Sequence, residues 1–179
     1  YEVTGEEKYL SECKKLMNET WNLFYDKKNN ILQKNLINEN DLFVNPIDIT
    51  DGNIPNGNSV YLYISQKLEL IFENEDWKTK NQSLNNCFHS YINLNYAQMF
   101  SYFKNLDIAE EKITFTFFGN FKKLSEVHKY VKKNYLSSAT IIYKKSEKDY
   151  LLVCKNKTCS LPIKTINDLD EYLKKNFIN

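Results

Sequence analysis

Lys112-Ile-Thr-Phe-Thr-Phe-Phe-Gly119 is the stretch that decides the fold. Ile113, Phe115 and Phe117 alternate with Thr114 and Thr116, a period of two that puts the apolar side chains on one face of a strand, and Gly119 supplies its stop. Everything apolar before it follows a different rhythm. From Glu6 to Tyr25, residues Tyr9, Leu10, Cys13, Leu16, Met17, Thr20, Trp21 and Phe24 recur at spacings of three and four, which predicts an amphipathic helix starting near Thr4 or Gly5. Val60, Tyr61, Ile64, Leu68, Ile71 and Phe72 repeat the pattern, with Asn58 or Ser59 as the expected cap. Leu84, Cys87, Phe88 and Tyr91, then Tyr96, Met99, Phe100 and Phe103, extend it, so antiparallel helical hairpins with aromatic seams are expected up to about residue 110.

Beyond residue 112 helical and strand periods mix. Leu124, Val127, Tyr130 and Val131 predict a helix, Ala139–Tyr143 and Tyr150–Cys154 two strands, and Ile166, Leu169, Tyr172, Leu173 and Phe177 a closing helix. The order βαββα implies a small α/β unit whose first two strands are parallel, joined by a right-handed crossover. The chain is therefore expected to be α+β, with a helical portion over residues 1–110 and a C-terminal unit over 111–179.

Residues 26–57 lack helical periodicity: DKKNN reads as a turn, 31–44 as a short hairpin, and a Pro/Gly corner follows. That corner gathers Gly52 and Gly57, two of only four glycines, and Pro46 and Pro55, two of only three prolines. Glycine is wanted where φ is positive or another group approaches closely, and proline pre-sets turns, so a shaped corner is expected. It presents Asp48, Asp51, Asn53, Asn56, Asn58 and Ser59. Such short polar groups either hold the hydroxyls of a sugar-like ligand or close turns on their own backbone. Asp48 and Asp51 are candidates for a general acid and base pair, and Asn56, Gly57, Asn58 and Ser59 for ligand contacts.

Composition narrows the alternatives. All 24 basic residues are lysine and the net charge is +1, leaving neither the guanidinium fork nor the field that nucleic-acid binding uses, so no such partner is expected. Lys14-Lys15, Lys122-Lys123 and Lys132-Lys133 read as solvated helix faces. No apolar run reaches the roughly 20 residues of a membrane span and no secretory signal is recognisable, so a soluble, cytoplasmic chain with no membrane partner is expected. Serine elbows, phosphate loops and dinucleotide glycine motifs are missing, no metal set stands out, and no cofactor is expected.

Cys154 and Cys159 flank a four-residue turn, so their thiols are placed to face one another across a hairpin as a redox pair. Reduced, buried thiols are the ordinary expectation, with a labile disulfide or a transient metal contact as the alternatives; Cys13 and Cys87 read as core. His89 and His128 read as structural hydrogen-bonding residues.

Two motifs carry a family resemblance. Asp51-Gly-Asn-Ile-Pro-Asn-Gly-Asn-Ser59 resembles the D-G-A-x-P-S-G-N-S motif of the bacterial YyaL-type and animal spermatogenesis-associated proteins, and Val153-Cys-Lys-Asn-Lys-Thr-Cys-Ser-Leu-Pro162 is similar to that family's closing V-C-x-x-x-x-C-x-x-P. The resemblance implies a thioredoxin-like domain preceding a helical toroid of six hairpins, akin to sugar epimerases and glycosidases, then a small α/β unit. This chain would be its tail, a piece of a longer protein that meets the rest of its parent or itself through apolar helix faces, with a carbohydrate-like ligand at the corner. Asn53 and Asn56 depart from the motif's alanine and serine, and Tyr61 and Tyr63 stand where the family tends to small residues. The alternative is a non-catalytic interaction module of a thioredoxin-linked protein.

Overall fold

A computed structural model describes residues 1–36, 47–135, 137, 139–156 and 158–177. Most of the hairpin expected over 31–44, Pro46, and Lys157 in the turn between the two cysteines lie outside the described residues. The chain is α+β and divides into two compact units, Glu7–Ala109 and Glu110–Asn179, the latter including Tyr1–Glu6.

The first unit opens with α1, Glu7–Phe24, which buries Leu10 and Met17. Strands β1, Tyr25–Asp26, and β2, Ile31–Leu32, form a two-residue antiparallel ladder around the DKKNN turn. The Asp26 carboxylate closes that turn by accepting from the Lys28 amide at 2.8 Å and from the Gln33 side chain at 2.9 Å, and Asn30 adopts a left-handed φ of 56°. Helix α2, Gly57–Phe72, begins where the corner ends. Its stop is Glu73, at φ 50°, whose amide donates to the Glu69 carbonyl; Asn74 then caps α3, Glu75–Asn95, by accepting from the Asp76 amide. Only these two residues join α2 to α3, which forces a helical hairpin. A single 3-10 turn, Tyr96–Gln98, leads into α4, Phe100–Glu111.

Leu62, Trp77, Leu84, Phe88, Met99 and Tyr102 are the centre of this unit, with Phe88 and Tyr102 stacked at 4.4 Å. Tyr102 is buried so deeply that its hydroxyl pKa is pushed up to about 12. The α1–α3 seam contains a buried Lys80, whose ammonium meets Asp76 at 2.8 Å and Asn18 at 3.0 Å and lies over the Trp77 ring at 4.5 Å. Charge pairing and the ring face together make a lysine acceptable there.

The second unit is a four-stranded sheet in the order β4-β3-β5-β6. It comprises β3 (Thr114–Phe118), α5 (Ser125–Tyr135), β4 (Thr140–Lys144), β5 (Tyr150–Lys155), β6 (Thr158–Cys159) and α6 (Ile166–Phe177). Phe115 and Phe117, the alternating residues of the deciding stretch, stand beside Ile141 and Tyr143 of parallel β4 and opposite Val153 and Leu151 of antiparallel β5. With Val127, Val131, Leu169 and Leu173 they form one apolar core. A reciprocal pair of hydrogen bonds between Thr165 and Asp168 caps α6. The N-terminal residues belong to this sheet: the Ile141 amide donates to Glu2 Oε1 at 2.9 Å and the Tyr143 amide to the Tyr1 hydroxyl at 3.0 Å. Among the described residues no helix is long and apolar enough to cross a membrane.

Candidate functional site

The corner is built around one carboxylate. Asp51 Oδ1 accepts from the backbone amide of Asn56 at 2.9 Å and from its side chain at 3.0 Å, while Oδ2 accepts from the Ser101 amide at 2.7 Å, in the first turn of α4. The Asp51 amide itself donates to the Gln98 carbonyl at 2.6 Å. Burial works against the charge, but the Ser101 and Asn56 hydrogen bonds outweigh it and hold this carboxyl below the ordinary carboxylate range. Asp51 is thereby kept ionised with both oxygens engaged, poorly suited to giving up a proton to a ligand.

The cap of α2 is Asn56, not Asn58 or Ser59 as expected. Asn56 accepts from the Ser59 amide at 2.8 Å and donates to the Ser59 hydroxyl at 2.9 Å. The reason is positional: Asn58 and Ser59 already lie inside the first turn, and the Ser59 amide is itself one of the orphan donors that the Asn56 side chain accepts from. Asn58, only 3% exposed, instead acts as a side-chain strand partner. Its Oδ1 accepts from the Leu32 amide at 2.9 Å, and its Nδ2 donates to the Leu32 carbonyl at 2.9 Å and the Asp48 carbonyl at 3.0 Å. Ser59 is buried too, and its carbonyl accepts from Asn105 at 2.7 Å. Asp48 directs its carboxylate outward, to Lys34 at 3.0 Å. Asn53 and Ile54 are exposed at the tip.

The glycines of the corner carry neither signature expected of them. Gly52 and Gly57 have no left-handed φ, and a Cβ on either would meet nothing within 4 Å. The positive-φ glycines are Gly5 and Gly119, both in the other unit. Gly57 has a simpler place as the first residue of α2.

Cys154 and Cys159 are bonded to one another, directly opposite across β5 and β6, with Cys159 exposed and Cys154 partly so. The expectation of buried, reduced thiols is corrected here, because a short edge strand turns both sulfurs toward each other at the rim of the sheet. Cys13 and Cys87 are not disulfide-bonded; burial pushes the Cys87 thiol up. His89 is exposed, with its ring edge-on to Tyr102 at 6.3 Å. His128 is buried, 2.6 Å from the Tyr143 hydroxyl. Among the described residues no group of three or more His, Cys, Asp or Glu side chains is placed to hold a metal ion.

Sequence reasoning missed the residues that complete the corner: Gln98, Ser101 and Asn105. Asn105 had a visible signal, a polar residue at the three-residue spacing between Tyr102 and Ile108, on the buried face of α4. No known family model and no curated protein matches the chain.

Proposed function

We propose that this chain is a non-catalytic structural and interaction module of a thioredoxin-linked protein, its corner serving to clamp the segment before α2 onto the helices. The observation that carries this is the occupancy of the polar groups. Both oxygens of Asp51 and both ends of the Asn58 amide have protein partners. A sugar would have to displace backbone amides from them, exchanging good hydrogen bonds for equivalent ones at no gain. The carbohydrate-processing alternative draws on the same two-motif resemblance, but needs a carboxylate pair open to ligand.

The interaction face is on α1. Tyr9, Leu16 and Leu23 stand seven residues apart and are 47%, 52% and 48% exposed, three apolar side chains along one face of the helix. The occupant that suits it is another helix, from the remainder of a longer toroid-bearing parent, laying a matching stripe alongside.

Asp51→Asn tests the assignment. The substitution removes the charge that three N–H donors address, so the helical unit is expected to lose about 1–3 kcal/mol in urea unfolding. Titration calorimetry with a panel of mono- and oligosaccharides is expected to register no saturable heat for either protein. Saturable sugar binding that Asp51→Asn abolishes at unchanged unfolding midpoint would overturn the proposal in favour of a carbohydrate site.

A further inference from the structure

We propose that the Cys154–Cys159 bridge is a thiol–disulfide exchange site, opened by a small or protein dithiol that attacks the Cys159 sulfur. Three observations converge on it. The bridge ties β5 to β6, a two-residue strand at the end of the sheet order, so among the described residues no further strand lies beyond it. Its two residues differ in access, Cys159 being exposed and Cys154 only partly so, which favours Cys159 Sγ as the sulfur an incoming thiolate attacks. And it closes a sequence separation of only 5, where a staple has little unfolded-state freedom to remove.

The surrounding ladder keeps its shape without the bridge. The Ser160 amide donates to the Val153 carbonyl at 2.8 Å, and the Val153 amide donates to the Ser160 hydroxyl at 3.1 Å. Leu151 and Ile163 exchange both backbone hydrogen bonds, at 2.8 and 2.9 Å. These contacts flank the cysteines on the side away from the turn, so an opened pair stays in register and closes again within the same molecule. The site therefore cycles without unfolding, unlike a bridge that holds a domain together.

The exchange balances as follows. A thiolate of the dithiol bonds to Cys159 Sγ as the Cys154–Cys159 bond breaks, and Cys154 leaves as a thiolate. The second thiol of the reductant loses its proton and attacks its own mixed-disulfide sulfur, releasing Cys159 as a thiolate. Two electrons pass to the bridge, the dithiol becomes a disulfide, and its two protons are available to Cys154 and Cys159. Cys87, buried with its thiol pushed up, stays out of the exchange.

The test uses the whole chain, air-oxidised, under native conditions. Dithiothreitol followed by alkylation and peptide mass mapping is expected to label Cys154 and Cys159 together and in equal amount, with the far-ultraviolet circular dichroism unchanged, and oxidised dithiothreitol is expected to reverse it. Labelling only after denaturant is added, or two free thiols at these positions in the air-oxidised protein, would overturn the proposal. The attacked sulfur is read from single variants. In a background with Cys13 and Cys87 both changed to serine, the thiol of Cys159 in Cys154→Ser is expected to react with Ellman's reagent on the order of tenfold faster than that of Cys154 in Cys159→Ser. Equal or reversed rates refute the choice of Cys159.

Discussion

At the scale of single residues, two glycines separate shape from frequency. Gly119 sits at φ +73°, and a Cβ there would come within 2.5 Å of Asp149 Oδ1 and 2.7 Å of the Lys148 carbonyl oxygen. Both the backbone region and the space exclude a side chain, so Gly119→Ala is expected to destabilise by about 1–3 kcal/mol in chemical denaturation. Gly57→Ala places a methyl in open space at a helical position and is expected to be neutral or to stabilise by about 0.4–1 kcal/mol. Clustering of glycines in the sequence pointed to the corner; the strained positions are isolated ones, because positive φ is a property of a single turn and leaves no trace in how often glycine recurs nearby.

At the scale of elements, α5 and β4 are joined by a polar contact inside an aromatic cluster. The Tyr143 hydroxyl donates its single proton to the Glu2 carbonyl at 2.7 Å, which leaves it an acceptor toward His128 Nε2 at 2.6 Å. His128 is therefore the Nε2–H tautomer. Phe117 and Phe121 pack against the imidazole at 5.1 and 4.8 Å, and its burial, with Lys132 adding like charge, pushes its pKa down to about 4. The folded state thus refuses a proton that the unfolded chain takes up from near pH 6.5. Stability is full above that value and falls as pH drops from about 6.5 to about 4, by up to about 3 kcal/mol. Urea unfolding of the α/β unit at pH 7 and pH 4.5 measures this, and His128→Gln is expected to flatten the difference. Asp51 is also shifted down, but by hydrogen bonds that favour its charged form, so its contribution to the helical unit is lost as pH falls through the ordinary carboxylate range and below it.

At the scale of the whole molecule, the chain's first residues serve its last unit. Tyr1 and Glu2 accept hydrogen bonds from the outward amides of β4, and the Val3 carbonyl accepts from Lys132 at 3.3 Å. They cover an edge that would otherwise present unpaired amides. Deleting residues 1–4 is expected to lower the stability of the α/β unit and speed hydrogen exchange at Ile141 and Tyr143, with the helical unit, which follows directly in the chain, little changed. Equal exchange rates in the two proteins would show that these contacts protect nothing.

The element types were legible from neighbours alone. A period of 3.6 before Lys112 and a mixture of 2 and 3.6 after it specified helices, strands and an α+β chain, because the repeat reports which side of an element faces the core and depends on residues a few positions apart. Tertiary structure alone decided what the corner's polar groups do. Asn58 pairs with Leu32, 26 residues away, and Asp51 with Ser101, 50 away; Ser59 is gripped by Asn105, 46 away. A hydrogen bond takes whichever partner chain closure brings within 3 Å, and closure over such separations depends on how all the helices pack. The state of Cys154 and Cys159 was open for the same reason, since only the register of β5 against β6 brings one sulfur to the other.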